Sequence, residues 1–228
     1  MKIEIDDTLG CQRSATFGTR IKDSVSGTEG IIVSFNEHMA GCLYIDISYQ
    51  VKASNGNTDY LSRSLSSHDA IYLDEGTPRL REIYESNNTG LKLRLGNRVR
   101  QISTGVEGYV GIICHSYTGE IDYQVIREFA DRGDPMNGGF FVSRHEAEYV
   151  DDGVTDKVVS QILLRSKGLL SLNLNDKVTH IVTGATGTVI EVAQLNGGTI
   201  LGTVVTKSTI KNKRPFEFTT DIELLEHI

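Results

Sequence analysis

The sequence predicts an all-β protein in which three small β-barrels follow one another along the chain, joined by short helical connectors. Three observations predict this fold class. A glycine motif recurs three times at nearly constant spacing, apolar and polar residues alternate around each copy, and helical spacing is confined to two short segments. A chain of 228 residues is also too long for one small barrel and suits several compact domains.

The recurring motif is a Gly-x-x-Gly element whose first glycine follows an aliphatic residue by six positions. The first glycines recur at intervals of 78 and 79 residues, a regularity that indicates internal repeats. The aliphatic residues are Ile21, Val99 and Val178, and the glycines are Gly27 and Gly30, Gly105 and Gly108, and Gly184 and Gly187.

Each Gly-x-x-Gly element is predicted to be a tight hairpin turn between two strands. Residues 91–95 and 170–174 place every leucine on one face, as a half-buried strand requires. Glycine adopts positive φ without a Cβ clash, and the second glycine is expected to start the next strand. A phosphate-binding loop would open a helix instead. Several short strands in a unit of about sixty residues favour an SH3-like barrel, which closes on itself and leaves few exposed edges.

The two segments between the predicted barrels have a helical character. Pro78 stands at a first-turn position of the first segment, and Gly168 is a typical stop for the second, whose apolar residues have helical spacing. We therefore expect barrels at residues 1–77, 91–153 and 169–228, a connector at residues 78–90 and a helical connector at residues 154–168.

Each copy is predicted to close with an acidic residue and a short alternating tail. A histidine precedes the acid in two copies, but no activated nucleophile accompanies it, and no histidine or cysteine spacing resembles a zinc site. We expect a hydrogen-bonded turn, no catalytic residue, no metal and no cofactor, so an enzyme ranks as the third hypothesis. The aligned pairs are His68-Asp69, His145-Glu146 and Thr220-Asp221.

Composition limits the partners and the compartment. A net charge of −7 opposes electrostatic attraction to nucleic acid. No stretch approaches the run of about 20 apolar residues that a membrane helix needs, and charges occupy the N-terminus where a signal peptide is apolar. Cys11, Cys42 and Cys114 are odd in number and far apart, which predicts reduced thiols.

Two kinds of surface residue are candidates for contacts with a partner. Basic residues of equal parity in the second copy could line one sheet face and grip an acidic protein or a nucleic-acid backbone, or they could simply be the solvent face of a strand. Loops held by a rigid scaffold at residues 36–40, 54–57 and 131–139, with a basic cluster near residue 212, are the other kind. The candidates are Lys92, Arg94, Arg98, Arg100, Asn36, His38, Asn55, Asn57, Asp134, Asn137, Lys211, Lys213 and Arg214.

The first copy resembles a small barrel motif common in proteins of tailed bacteriophages. That motif has a Gly-x-x-Val-x-Asp start, a Thr-Gly-x-x-Gly turn and a Gly-Cys pair before a strand that contains tyrosine. Residues 18–32 and 39–45 match it nearly throughout. The second copy keeps the turn, and the third keeps the turn and little beyond it. The resemblance implies a structural protein of the virion, made in the host cytoplasm and present in multiple copies. It would be a head decoration protein, or else a neck or tail component, that binds capsid, neck or tail subunits.

The turn also resembles the KOW element of ribosomal and transcription-elongation proteins. That resemblance implies an alternative function, a nucleic-acid-associated factor of the RNA, transcription or ribosome type. KOW-like domains usually contact RNA with basic loop residues, whereas the central pairs of the three turns here are neutral or acidic. We therefore expect a non-enzymatic protein that binds other proteins, with nucleic acid as the alternative partner.

Overall fold

The computed structural model describes residues 1–90, 92–127, 139–166, 171–182, 184–194, 200–206 and 217–228. In these residues the chain is mostly β, which confirms the all-β fold class. The described part contains two α-helices, α1 (Arg79–Asn87) and α2 (Thr155–Ser166), and both lie inside the segments predicted as connectors.

Each repeat contributes five strands, and a hairpin that the sequence did not predict precedes them. That hairpin consists of β1 (Ile3–Asp6) and β2 (Gln12–Ala15). The first repeat contains β3 (Arg20–Asp23), β4 (Glu29–His38), β5 (Leu43–Lys52), β6 (Thr58–Ser66) and β7 (Ala70–Asp74). The second contains β8 (Arg98–Gln101), β9 (Glu107–Ser116), β10 (Ile121–Ile126), β11 (Phe140–Ser143) and β12 (Ala147–Asp151). The third contains β13 (Lys177–His180), β14 (Thr186–Gln194), β15 (Ile200–Thr206), β16 (Glu217–Asp221) and β17 (Leu225–His227).

The strand order is the same in all three repeats. The first four strands of each repeat pair in succession, and the fifth returns to pair with the first on its other side, as in the series β16-β15-β14-β13-β17. This shared order is the structural counterpart of the glycine repeat. That each series closes into a separate SH3-like barrel stays a prediction.

The chain divides into two compact units that are discontinuous in sequence. The first unit comprises residues 1–37, 42–91 and 114–122, and the second comprises residues 38–41, 92–113 and 123–228. Each unit therefore includes a short hairpin tip that belongs, by sequence, to a repeat of the other unit.

The core of the first unit is aromatic at its centre and aliphatic around it. The ring of Phe17 lies 4.8 Å from that of Phe35 and 4.5 Å from that of Tyr84, measured between centroids. Tyr84 comes from α1, so this helix is part of the core of the unit. Ile21 and Ile32 are fully buried beside the aromatic rings, as alternation in β3 and β4 predicts.

The apolar clusters of the second unit include two that involve the third repeat. One is formed by Val178, Val189, Val204, Phe218 and Leu225 of the third repeat. The other gathers around α2, where Val158 packs with Ile181, Val182, Leu224 and Met39. Met39 comes from a hairpin tip of the first repeat that lies in this unit.

The two glycines of each turn have different physical roles. The first glycines adopt φ of +75°, +70° and +70° in chain order, the left-handed region that the turn requires. The second glycines stand at the second position of the following strand, where an added Cβ would lie 2.7, 2.5 and 2.4 Å from a carbonyl oxygen of the facing strand. Those carbonyls belong to Ser48, Ile126 and Val205.

The alignment of the third closing tail was wrong by three residues. The first residue of the fifth strand pairs with the last residue of the first strand in each repeat, and the partners are Ala70, Ala147 and Leu225. Leu224 therefore matches Asp69, and Asp221 instead ends β16. A one-turn 3-10 helix at Ile222–Leu224 precedes β17, just as one at Ser67–Asp69 precedes β7.

Two expectations about the whole chain concern membranes and thiols. Within the described residues, no helix has the length and apolar character that crossing a membrane would require. Cys11, Cys42 and Cys114 form no disulfide, with Cys11 exposed and the other two half-buried.

Candidate protein-interaction surface

The β5–β6 hairpin forms an arm that we define as residues 50–64. Its strands pair without interruption from Tyr44 opposite Ser66 to Lys52 opposite Thr58. A turn closes the hairpin through the hydrogen bond that the Ala53 amide donates to the Asn57 carbonyl, 2.8 Å. The arm is therefore a regular, fully paired hairpin.

The turn of the arm contains two of the predicted contact residues. The Asn55 Oδ1 atom accepts a hydrogen bond from the Asn57 amide at 2.9 Å, an arrangement that stabilises a tight turn locally. Gly56 lies between them with φ of +83°. The exposed tip is held by its own side chains, which presents Asn55 and Asn57 in a defined conformation.

The outer strand of the arm is exposed on both faces. Every residue of β6 from 58 to 64 is exposed, although neighbouring side chains in a strand point to opposite sides. Tyr60 is 70 % exposed and Leu61 46 % exposed, so each face presents one large apolar side chain. The Tyr60 hydroxyl accepts a hydrogen bond from Gln50 Nε2 at 2.9 Å, which limits its rotation.

One edge of β6 is open. Among the described strands, β6 pairs only with β5, so the amides and carbonyls of its other edge face away from any described strand. Such an edge is a template on which a strand of another protein can pair through main-chain hydrogen bonds. Adjacent side chains such as Tyr60 then provide specificity.

The arm has little free charge. Its charged residues are Lys52, Asp59 and Arg63, and Arg63 Nε lies 2.8 Å from the buried carboxylate of Asp23. An open strand edge flanked by aromatic, aliphatic and hydroxyl side chains is suited to a protein partner. Nucleic-acid binding would need several free cations.

The basic stripe of the second repeat is neutralised by neighbouring acids. Arg100 forms ion pairs with Glu107 and Glu148, the latter at 3.2 Å, and Arg98 lies 2.8 Å from Glu107. The hydrogen bond from Arg100 holds the pKa of Glu107 below its ordinary value, so this acid stays charged. Arg94 pairs with Asp152 at 2.8 Å, and Lys92 is exposed.

The remaining predicted contact residues are Asn36, His38 and five residues that the structure does not describe. Asn36 donates a hydrogen bond to Asp46 Oδ2 at 3.0 Å on the β4–β5 pair. His38 lines a cavity of about 90 Å³ in the second unit together with Met39 and Leu224, and burial lowers its pKa. Asp134, Asn137, Lys211, Lys213 and Arg214 lie outside the described residues.

The surroundings of His68, His145 and Cys114 bear on whether these side chains could support catalysis. His68 and His145 are exposed in the turns before β7 and β12, and the amide of His68 is capped by the Ser66 hydroxyl at 3.3 Å. Burial raises the pKa of the Cys114 thiol to about 11, which keeps it protonated and poorly nucleophilic. Within the described part of the chain, no group of three or more histidine, cysteine or acidic residues is placed to hold a metal ion.

Sequence reasoning found the tip of the arm but missed its outer strand. The turn residues of 54–57 were recognisable by composition, whereas Tyr60 and Leu61 gave no distinct signal. The informative pattern is that polar and hydroxyl residues occupy both parities of β6, which is typical of a strand without a buried face.

Comparisons with known proteins found no relative of this chain. No family model, no curated protein and no solved structure matches the chain.

Proposed function

We propose that this chain is a non-enzymatic structural component of a tailed-bacteriophage virion, built from three SH3-like modules and bound to the particle through the arm. Its partners would be capsid, neck or tail subunits, with head decoration favoured over a neck or tail position. The protein would be made in the host cytoplasm and assembled in multiple copies per particle.

The observation that carries the protein-binding part of this proposal is the two-sided exposure of β6. An edge strand with Tyr60 and Leu61 exposed on opposite faces lowers the solubility of the protein unless a partner covers it. The virion part rests on the motif at residues 18–32 and 39–45. Several modules in one chain would add weak contacts through effective concentration, so the arm itself need bind only moderately.

The experiment that tests the location is mass spectrometry of purified particles of the encoding phage, before and after mild dissociation. The proposal requires this chain to accompany the particles and to be released with a defined stoichiometry. Its absence from particles would overturn the virion assignment, whereas the arm could still bind another protein.

The experiment that tests the arm is rebinding of the purified chain to particles from which it has been removed. Replacing both Tyr60 and Leu61 by serine should weaken rebinding by at least about 30-fold, since a single interface anchor already contributes about 2 kcal/mol. The matched control is Phe141→Ser, which removes a side chain that is 65 % exposed on β11. Equal losses in both variants would contradict a role for the arm.

The nucleic-acid alternative makes an opposite prediction about salt. Because the arginines of the stripe are paired with acids, we expect weak RNA or DNA binding at most, with little change between about 50 and about 200 mM salt. Tight binding that falls steeply over this range and is lost in Arg98→Gln would favour the alternative instead.

A further inference from the structure

The turn of the arm determines which main-chain groups of β6 point to its open edge. The Ala53 amide donates to the Asn57 carbonyl, and the register of β5 and β6 continues from this pair without a shift. Because hydrogen-bonded pairs alternate along an antiparallel ladder, the odd-numbered residues of β6 direct their amides and carbonyls to β5. The even-numbered residues direct theirs to the open edge, and these residues are Thr58, Tyr60, Ser62 and Ser64.

The odd-numbered side chains of β6 form a stripe with opposite charges at its two ends. Asp59, Leu61 and Arg63 lie two residues apart, so their side chains share one face of the arm, and all three are exposed. The stripe is acidic, apolar and basic in chain order. Because an antiparallel strand runs in the opposite direction, this order of charges is complementary to an antiparallel copy of itself.

The two charges of the stripe differ in their partners within the chain. Arg63 Nε lies 2.8 Å from the buried Asp23 carboxylate, which orients the guanidinium. A guanidinium carries more donors than one carboxylate uses, so Arg63 can bind a second acid. Among the residues that the structure describes, Asp59 forms no ion pair. The stripe therefore offers an acid and a basic group to an external strand.

We propose that the open edge of β6 pairs with the same edge of a second copy of this chain, forming a two-fold symmetric dimer in which Leu61 faces its own counterpart. Asp59 would then face Arg63 of the second copy on both sides of the axis, since a two-fold axis repeats each contact. A second copy is the occupant that fits, because it supplies both the open strand edge and the complementary order of charges.

An axis at Leu61 uses the outward-pointing main-chain groups in pairs. Thr58 would exchange hydrogen bonds with Ser64 of the second copy, and Tyr60 would exchange them with Ser62. Leu61 would face its counterpart at a position where no hydrogen bonds are exchanged, which brings the two side chains close. The apolar centre of the stripe is thus covered by pairing.

Moving the axis by one residue in either direction loses the match of charges. With the axis at Tyr60, Asp59 would face Leu61 of the second copy. With the axis at Ser62, Arg63 would face Leu61. Each shift leaves a charged side chain opposite an apolar one, so the sequence of β6 favours the axis at Leu61.

The dimer rests on the proposed function of the arm as a protein-binding hairpin, and it names the occupant of the open edge. Main-chain pairing covers the edge of β6, whereas the side chains of the joined arms still project from both faces. The face that carries Tyr60 would then remain available to subunits of the particle.

The first test is the mass of the chain in solution, measured by sedimentation equilibrium up to about 100 µM protein. We expect the mass to rise with concentration to twice that of one chain. Asp59→Lys should weaken the dimer at least about tenfold, because it turns both facing ion pairs into like-charge pairs. The control is Glu85→Lys, which makes the same change of charge at an exposed position of α1 and should leave the dimer unchanged.

A second variant removes a main-chain donor of the open edge and keeps the charged stripe. Proline lacks an amide hydrogen and is tolerated on the solvent side of an edge strand. Because the Ser62 amide points outward, Ser62→Pro should keep the β5–β6 pairing and leave the mass of one chain at about 100 µM. Circular dichroism of each variant verifies that it folds.

The position of the axis is tested by a symmetric disulfide. With the exposed Cys11 replaced by serine, Leu61→Cys should give a covalent dimer with oxidised glutathione, because directly opposed residues fit disulfide geometry. Thr58→Cys in the same background should not, since the two sulfurs would start about 20 Å apart along the strands. The background without an added cysteine measures any cross-linking through Cys42 or Cys114.

Three outcomes would overturn the dimer. They are a single-chain mass at every concentration, a dimer that survives both Asp59→Lys and Ser62→Pro, and equal cross-linking at positions 58 and 61. Rebinding to particles distinguishes this failure from failure of the proposed function. A parent chain that stays single but rebinds through Tyr60 and Leu61 overturns the dimer alone, whereas a dimer that never rebinds supports the pairing and removes the role of the arm on the particle.

Discussion

The turns of the first and third repeats have the same backbone but different buried side chains at one position. The Gly27 amide donates to the Asp23 carbonyl at 2.8 Å, and the Gly184 amide donates to the His180 carbonyl at the same distance. Both Asp23 and His180 are 1 % exposed. The same backbone bond and the same glycine thus accompany two different buried polar side chains.

The partners of these two side chains differ in charge. Asp23 is ionised. Burial alone would raise its pKa, but hydrogen bonds from Ser26 and the Val25 amide, with the charge of Arg63, outweigh burial and lower the pKa. Burial lowers the pKa of His180 to about 4, so the imidazole is neutral, and its Nδ1 accepts a hydrogen bond from the Val182 amide at 3.3 Å. The two turns should therefore respond to acid in different pH ranges.

The largest expected effect is the acid sensitivity of the third repeat. The pKa of His180 is about 4 when folded and 6.5 ordinarily, so the unfolded chain binds the proton first as pH falls. Stability from this group is complete above pH 6.5 and is lost as pH falls towards 4, by about 3 kcal/mol in total. Denaturant unfolding across this range measures the loss.

The control for this prediction is His180→Gln, which cannot titrate. The variant should start less stable, because it repacks a buried site, but its stability should change less between pH 6.5 and 4. The same pH slope in both proteins would show that another group causes the acid sensitivity.

The next effect concerns the first repeat. Asp23→Asn keeps the shape of the side chain but removes the charge that Ser26, Val25 and Arg63 stabilise, so we expect a loss of about 1–2 kcal/mol near neutral pH. Because the folded pKa of Asp23 is lowered, its contribution is present above the ordinary value of 3.8 and is lost as pH falls through the folded pKa. The difference between variant and parent should therefore shrink in strong acid.

The control for Asp23 is Arg63→Gln. Arg63 is partly exposed, so solvent screens this pair and the loss should stay below about 1 kcal/mol. A larger loss for Arg63→Gln than for Asp23→Asn would show that the ion pair outweighs the hydrogen bonds in stabilising the turn.

What the sequence could predict was local. The turn glycines could be recognised from the sequence because each turn requires glycine at two fixed positions. The first needs a positive φ, and the second leaves no room for a Cβ beside the facing strand. The closing tail at Asp221 was misplaced because apolar and acidic residues alternate on both sides of the 3-10 turn, so two registers fit equally well.

What the sequence could not predict depends on strands that are distant along the chain. The parity of Arg98 and Arg100 correctly indicated a shared face, but the acids that neutralise them come from β9 and β12. The bond from Tyr117 to Val33 joins residues of different repeats. No local pattern reports such a pairing, since it depends on how two hairpins meet.

The smallest expected effect concerns another position shared by the repeats, occupied by Gly18, Gly96 and Asn175. Asn175 is the only residue other than glycine with positive φ in the described part of the chain, at +73° against +85° and +84° for the two glycines. Asparagine tolerates this region better than other side chains. We expect Asn175→Gly to change stability by less than about 0.5 kcal/mol and Asn175→Ala to cost about 1 kcal/mol, as urea unfolding would measure. If alanine were tolerated without loss, a left-handed backbone at this turn would be excluded, and with it the equivalence of the third repeat to the first two at this position.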